Sequence, residues 1–187
     1  MDDEELVRLC RDGDGDAFGV LIERHQAMLF NLAMRIVGDR DDAMDVLQDA
    51  ALKGWRAIGS LRGGAFRSWM SSIVARTCID RVRARRPVDP LEDDEGRVIA
   101  LPDARPGPEA LALSRERAAE VQAALMRLGA DHRAVLLMRD LTGLSYEEIA
   151  AGLDIPIGTV RSRLARARVN LQADLMRRDP TILETTA

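Results

Sequence analysis

The sequence predicts an all-α protein made of two small helical domains that are joined by a flexible linker. Aromatic residues make up only 3% of the 187 residues, whereas the helix-favouring residues alanine, leucine, arginine and glutamate are abundant. Apolar residues recur at helical spacing in both halves of the chain, and a proline-rich stretch separates the halves. The last two predicted helices have the spacing of a helix-turn-helix motif.

Four helices are predicted in the first lobe, residues 1–86. Apolar residues at every third or fourth position define each helix, and runs rich in glycine or aspartate separate them. The third helix is expected to bury Ala43, Leu47 and Ala51. The predicted helices run from about Asp3 to Arg11, from Phe18 to Ile36, from Asp42 to Ile58 and from Phe66 to the basic run that ends at Arg86.

A flexible linker is predicted at residues 87–108. This stretch contains five of the seven prolines and the acidic cluster at residues 92–95. Such a composition is typical of extended or disordered segments. The linker divides the chain into the first lobe, a second lobe at residues 109–178 and a tail at residues 179–187.

The composition argues against several classes of protein. No apolar run approaches the length of a bilayer span, and the acidic start Met1–Glu5 is the opposite of a signal peptide. We therefore expect a cytoplasmic protein without a membrane partner. Cys10 and Cys78 lack the CxxC spacing of zinc ligands, and no nucleophile–histidine set, P-loop or dinucleotide glycine pattern occurs. The prediction is no enzyme, no cofactor and no metal.

A partial calcium-loop pattern lies near the start of the chain. Asp12, Asp14, Asp16 and Glu23 match four ligand positions of such a loop. However, Ala17 stands where the loop requires glycine, and helical apolar spacing continues through the segment. We therefore reject a calcium site.

The strongest functional motif is the predicted helix-turn-helix at residues 144–171. Ser145 and Glu148 fit a capping box that opens its first helix, and Pro156 stands where its second helix can start. In this motif the second helix enters the major groove of DNA, where an arginine–guanine contact is worth roughly 1–3 kcal/mol of discrimination. A solvated arginine-rich helix is the alternative. The candidate DNA contacts outside the predicted buried stripe are Thr159, Arg161, Ser162, Arg163, Ala165 and Arg166.

An acidic face is predicted on the third helix. Asp41, Asp45 and Asp49 are spaced i, i+4, i+8, with Gln48 beside them. Like charges at this spacing cost about 0.2–0.5 kcal/mol per pair, and Asp49 is too far along the helix for its N-terminal dipole to offset that cost. Binding to a basic partner surface would explain why the acids lie together. An acidic face that is simply solvated is an equal alternative. A metal site is disfavoured, because one helix face supplies ligands from one side only.

A glycine-containing loop followed by a basic helix is a candidate site for single-stranded nucleic acid. Residues 66–86 contain six basic residues and one acid, although the whole chain carries a net charge of −4. Aromatic faces can stack on bases while arginines hold phosphates, but Phe66 and Trp69 also fit a core position. The candidate residues are Arg62, Gly63, Gly64, Phe66, Trp69, Arg76, Arg81 and Arg83.

Three blocks of the sequence resemble the extracytoplasmic-function group of sigma-70-type sigma factors. The block DAMDVLQDAALKGW at residues 42–55 is similar to the family's region 2.2, and residues 66–86 are similar to regions 2.3 and 2.4. Residues 143–164, with GLSYEEIA and PIGTVRSRL, are similar to region 4.2. The sequence departs from the family's usual residues at Leu61 and Arg76, where an aromatic residue and asparagine are common.

The resemblance implies a sigma factor that directs core RNA polymerase to promoters and initiates transcription. It implies that Asp45, Gln48, Asp49 and Leu52 contact the β′ clamp helices, that the second lobe meets the β flap, and that an anti-sigma factor is a further partner. By resemblance, the loop at residues 59–65 captures a flipped base of the −10 element. The −35 element would be recognised by Arg161, Ser162, Ala165 and Arg166.

A stand-alone helix-turn-helix transcription regulator is the alternative function. In that case the first lobe would serve dimerisation or sensing, and the protein would bind a palindromic site as a dimer. The sequence pI near 5.3 argues against autonomous, high-affinity, non-specific DNA binding. It fits a protein whose DNA affinity depends on assembly with the polymerase.

Overall fold

In the ranges that its structure, a computed structural model, describes, the protein consists of helices joined by short turns and loops. These ranges are residues 1–61, 65–85 and 108–178, with only the backbone described for residues 108–116 and 178. The predicted tail lies outside them, and so does the predicted linker apart from Pro108. Within these ranges no residue lies in a β-strand, which agrees with the predicted all-α class.

The described residues of the first lobe form four helices and one short 3-10 turn at Ile58–Ser60. Aspartate side chains cap the first three helices, and each accepts hydrogen bonds from backbone N–H groups of the first turn, which would otherwise lack partners. Asp2 also forms a full capping box with Glu5. The helices are α1 (Asp3–Arg11), α2 (Gly15–Val37), α3 (Arg40–Ala57) and α4 (Phe66–Arg85).

The long helices α2, α3 and α4 pack on one another and form the core of the first lobe. Leu21, Leu32 and Ile36 of α2 are fully buried, and Val46 and Val74 meet them from α3 and α4. Each fully buried aliphatic side chain of this kind contributes about 1.5–3 kcal/mol relative to exposure. The core therefore fixes which faces of α3 and α4 remain at the surface.

The buried face of α3 differs from the predicted one. Ala43 is buried as predicted, and Val46, Ala50 and Gly54 are buried with it, whereas Leu47 and Ala51, which were also predicted inside, are only partly buried. Gly54 shows the reason, because a Cβ added there would lie 3.0 Å from Met70 Sδ and 3.3 Å from the Phe18 ring. The small residues allow α3 to approach its neighbours closely, and this sets the rotation of the helix.

The second lobe also contains four helices. Its last two form the predicted helix-turn-helix, and both backbone and side-chain bonds of the capping box between Ser145 and Glu148 are present. Asp154 ends the first of these helices in the left-handed conformation, at φ 55°. The helices are α5 (Pro108–Arg127), α6 (Ala130–Asp140), α7 (Tyr146–Leu153) and α8 (Ile157–Arg178).

The two lobes are packed against each other. Helix α4 contacts α6 and α7, and α2 contacts α5 and α6, so that the buried apolar residues of both lobes form one continuous cluster. The sequence does not predict this contact, because the apolar stripes of the two lobes carry no information about which partner helix covers them. None of the helices in the described ranges combines the length and apolar character needed to cross a bilayer.

We expect that Ser145→Ala lowers the free energy of unfolding by about 1 kcal/mol, because the Glu148 N–H loses its acceptor at the start of α7. Urea denaturation measures the change. Ser145→Asp is the control, since aspartate also caps helices and should retain nearly all the stability. Equal destabilisation by the two substitutions would show that the cap does not stabilise α7.

Candidate nucleic-acid and protein interfaces

The second helix of the helix-turn-helix, α8, is anchored by its inward face. Val160, Leu164 and Ala167 are buried, as the helical spacing predicts, and they pack within the common core. Two further contacts hold the motif together. Arg139 donates to the Leu144 carbonyl at 2.8 Å, and Arg168 Nη2 lies 2.7 Å from Asp140 Oδ1, which joins α8 to α6. The opposite face of α8 is therefore presented to solvent on a fixed scaffold.

The exposed face of α8 carries most of the predicted DNA contacts. Arg161, Ser162, Ala165 and Arg166 are exposed, and neither arginine has an ion-pair partner among the described residues. Ser162 Oγ donates to the Thr159 carbonyl at 3.1 Å. The remaining two candidates are less accessible, because Thr159 and Arg163 are only partly exposed.

Asp131 of α6 pairs with two of the predicted DNA-contacting arginines. Arg163 Nη1 lies 3.0 Å from Asp131 Oδ1, and Arg83 Nη2, at the end of α4, lies 2.8 Å from Asp131 Oδ2. No sequence pattern points to Asp131, because the three residues are far apart in the chain. Its i+32 and i−48 separations from the two arginines follow no local pattern.

His132 lies on α6, close to Arg163 of α8, and is partly buried. Burial lowers the pKa of this histidine, and the positive charges of Arg163 and Arg166 lower it further, against the opposing effect of Asp131. This imidazole therefore binds a proton less readily than a free one, and it lies close to two arginines that are predicted to meet phosphates or bases.

The acidic face of α3 is at the surface. Asp45, Gln48, Asp49 and Leu52 are exposed, with Leu52 retaining 56% of its accessible surface. Asp45 Oδ2 accepts from Arg81 at 2.6 Å, so its charge is partly compensated within the protein. Asp49 has no cationic partner among the described residues, and it presents an uncompensated carboxylate beside an exposed leucine.

Phe66 is not available to stack on a base, and its assignment as a DNA contact is corrected here. The ring is fully buried and lies in an aromatic cluster, with centroids 6.0 Å from Phe18, 5.5 Å from His25 and 6.0 Å from Trp69. An aromatic ring is stabilised more by packing against other rings in the core than by contact with solvent. The core interpretation of the helical spacing is therefore the right one for this residue.

Trp69 and Arg76 line a cleft where the lobes meet. The cleft has a volume of about 450 Å³ and is bordered by both residues, by Ile73 on the same helix and by Glu148 and Gly152 of α7. Trp69 is partly exposed and Arg76 is exposed without an ion-pair partner in the described ranges. Both remain accessible to a ligand.

The basic end of α4 is largely engaged in internal ion pairs. Arg81 pairs with Asp42 at 3.0 Å as well as with Asp45, and Arg85 also pairs with the buried Asp42. Arg81 and Arg83 were predicted to contact nucleic acid, and the sequence pattern does not show that Asp42 and Asp45 pair with arginines of this helix. The other predicted members of this site, Arg62, Gly63 and Gly64, lie outside the described residues.

Neither cysteine shows features of a functional thiol. Cys10 and Cys78 are both buried and free. Burial raises the pKa of Cys78 to about 12, although the nearby Arg133 charge acts in the opposite direction. The described residues contain no group of three His, Cys, Asp or Glu side chains placed to hold a metal ion, and Asp14 of the rejected calcium pattern caps α2.

Comparison with known families gives two matches on this chain. Residues 21–88 match Sigma-70 region 2, and residues 118–171 match Sigma-70, region 4. The RNA polymerase sigma-H factor of Pseudomonas aeruginosa is 38% identical over 174 residues, which cover 89% of this chain and 90% of that protein. The ECF RNA polymerase sigma-E factor of Escherichia coli K12 is 39% identical over 175 residues, which cover 90% and 91%.

Two solved structures have a similar fold. CnrH in complex with the cytosolic domain of CnrY superposes with a TM-score of 0.66 at 27% identity, covering 95% of this chain and 99% of that chain. The sigma factor RpoE in complex with the anti-sigma factor NepR from Bartonella quintana gives a TM-score of 0.65 at 26% identity, covering 84% and 96%.

We expect the stability of the protein to fall as the pH decreases below about 6.5, in part because of His132. Since its pKa is lower in the folded state than its ordinary value of 6.5, the unfolded chain binds the proton first, and the stabilisation present above that value is lost as the pH falls towards the folded pKa. Urea denaturation at several pH values measures the slope, and His132→Gln should make it shallower. An identical slope in the variant would contradict the lowered pKa.

Proposed function

The chain belongs to the extracytoplasmic-function sigma factors of the sigma-70 family, and from this premise we propose how its surfaces divide the work of promoter recognition. It is a sigma factor that directs RNA polymerase to promoters for transcription initiation. We propose that it has no catalytic role and acts in the cytoplasm. The assignment of these surfaces to different partners rests on one observation: an acidic face on α3 and an arginine-bearing face on α8 are exposed on separate lobes.

The acidic face of α3 is proposed to bind the β′ clamp helices of the core polymerase. Asp45, Gln48, Asp49 and Leu52 lie on the exposed side of this helix, and they combine negative charge with an exposed apolar side chain. Such a face suits a basic partner surface with an apolar centre. Asp49 is the strongest contributor in this proposal, because Arg81 already compensates Asp45.

The exposed face of α8 is proposed to recognise the −35 element. Arg161 and Arg166 can reach base edges or phosphates without first breaking an internal ion pair, and Ser162 and Ala165 lie on the same exposed surface. Arg163 and Thr159 take a secondary part, since Arg163 must give up Asp131 before it can bind DNA. A regulator that acts without polymerase would not explain why residues 21–88 match Sigma-70 region 2.

The surface of α4 is proposed to meet the −10 element. Trp69 and Arg76 are the accessible members of the candidate set, and they supply a face for base stacking and a charge for phosphate. The proposal retains the loop residues Arg62, Gly63 and Gly64 on the family resemblance alone. Arg81 and Arg83 would contribute after their internal ion pairs are broken, and Phe66 supports the site from the core.

An anti-sigma factor is proposed as a further partner. CnrH is described in complex with the cytosolic domain of CnrY, and the Bartonella quintana factor in complex with the anti-sigma factor NepR. Since these complexes were formed by chains of the same fold, a protein partner of this kind suits this chain as well. The β flap of the polymerase is proposed to bind the second lobe.

We expect that Asp49→Arg weakens binding to core polymerase about tenfold or more, because it places a positive charge against a basic partner surface. Equilibrium binding of the labelled variant to purified core measures the effect. Glu23→Arg makes the same change of charge on an exposed part of α2 and should bind like the wild type. Unchanged affinity of Asp49→Arg would remove α3 from the polymerase interface.

We expect that Arg166→Ala reduces transcription from promoters that depend on the −35 element, with a loss of roughly 1–3 kcal/mol in recognition. In vitro transcription with core polymerase measures this loss. Arg177→Ala is the control near the far end of the same helix, because this exposed side chain pairs with Asp174 three residues away and lies outside the candidate DNA contacts. Full activity of Arg166→Ala would exclude this residue from the recognition surface.

A further inference from the structure

The arginines near the start of α8 lie on different parts of the helix surface. Arg161 is exposed on the outward face, beside Ser162. Arg163 is only partly exposed, and its side chain turns towards α6, where Nη1 lies 3.0 Å from Asp131 Oδ1. A recognition helix in the major groove meets base edges with its outward face, and the phosphate backbones that border the groove lie beside its flanks. The position of Arg163 therefore suits a backbone contact better than a base contact.

Asp131 already supplies Arg163 with an anionic partner inside the protein. Its carboxylate belongs to the first turn of α6, where the helix dipole favours a negative charge. Arg83 Nη2 also lies within hydrogen-bonding distance of this carboxylate, at 2.8 Å. A carboxylate and a phosphate are both oxyanions that accept charge-assisted hydrogen bonds from a guanidinium group. Asp131 and a backbone phosphate would therefore compete for the same positive charge on Arg163.

The neighbouring arginine Arg166 shows what this competition changes. It is exposed three residues further along α8, and it has no ion-pair partner in the part of the chain that the structure describes. An uncompensated arginine that neutralises a phosphate releases counterions from DNA, and this release drives binding. Arg163 with its carboxylate partner adds no net charge to the surface of α8, so it gains less from the same contact.

We infer that Asp131 limits the affinity of the second lobe for promoter DNA, because it holds Arg163 as its counter-ion in place of a backbone phosphate. This inference rests on the proposed function, in which α8 recognises the −35 element. It extends that function to a residue outside the recognition helix whose carboxylate opposes binding. Only the contact between α6 and α8 is required, and both helices belong to the second lobe.

The exposure of the ion pair sets the size of the effect. The side chains of Arg163 and Asp131 retain 25% and 26% of their accessible surface, so that water screens part of their attraction. Pairs at such partly exposed positions correspond to at most about a fivefold change in an equilibrium constant. Loss of the carboxylate should therefore strengthen DNA binding by roughly two- to fivefold, without any new contact to a base.

Asp131→Asn tests the inference, because asparagine keeps the shape of the side chain and removes its charge. Holoenzyme is assembled from each full-length variant and purified core polymerase. The probe is a fluorescent duplex that carries the promoter most strongly transcribed by the wild-type holoenzyme from a randomised library, and anisotropy measures binding at several potassium chloride concentrations. We expect binding to be roughly two- to fivefold tighter, and log K to fall with log salt by about 0.9 more, which is the contribution of one further phosphate contact.

Two further variants control for other effects of removing an acid. Asp16→Asn removes the same charge from the first turn of α2, in the other lobe, and should bind the duplex like the wild type. Arg163→Ala removes the cation of the pair, and on this background Asp131→Asn should no longer strengthen binding. Urea denaturation of each variant establishes that it is folded.

The outcomes separate this inference from the proposed function. A gain in Asp131→Asn that is absent on the Arg163→Ala background supports the inference. Unchanged or weaker binding by folded Asp131→Asn would overturn it, since the carboxylate would then orient Arg163 for DNA. An equal gain on both backgrounds would overturn it as well, because Asp131 would then act on DNA directly.

In all of these cases, a wild-type holoenzyme that binds its promoter leaves the proposed function intact. Failure of the wild type to form a holoenzyme, or to select any promoter from the library, would overturn the proposed function and this inference together.

Discussion

The burial of Val160, Leu164 and Ala167 fixes the rotation of α8, and the surface proposed to face DNA depends on this rotation. With these three side chains in the core, Arg161 and Arg166 must point outward. The capping box and the left-handed turn between α7 and α8 set the angle at which the helix leaves the domain. The packing of apolar side chains in the core thus decides which arginines lie at the surface and can be used for recognition.

Internal ion pairs then decide which of the exposed charges are available to partners. Asp42 is buried and pairs with arginines of α4, so that part of the basic helix is committed to holding the first lobe together. Asp45 is partly compensated by Arg81, whereas Asp49 is not. The surfaces left for polymerase and promoter are therefore smaller than the charge pattern of the sequence suggests. This internal pairing is consistent with an acidic chain that depends on its partners for DNA affinity.

Local features of the fold could be predicted from the sequence, and contacts between distant segments could not. Capping boxes, glycine ends and helical spacing are encoded within a few residues, so the helix bounds and the helix-turn-helix were predicted closely. The rotation of α3 was not, because Leu47 and Val46 are equally apolar and the close approach at Gly54 decides between them. Phe66 illustrates the same limit, since an aromatic residue beside a basic run fits both a core and a stacking role.

The contacts of Asp131 could not be predicted at all, because its two arginine partners come from different lobes and no local pattern relates the three residues.

The proposed function requires that one chain couples polymerase to two separate DNA elements. In vitro transcription from a library of randomised promoters, with purified core polymerase, tests this requirement directly. The account predicts that the protein adds transcripts whose promoters share two sequence elements at a fixed spacing. Transcription no greater than that of core polymerase alone would contradict it.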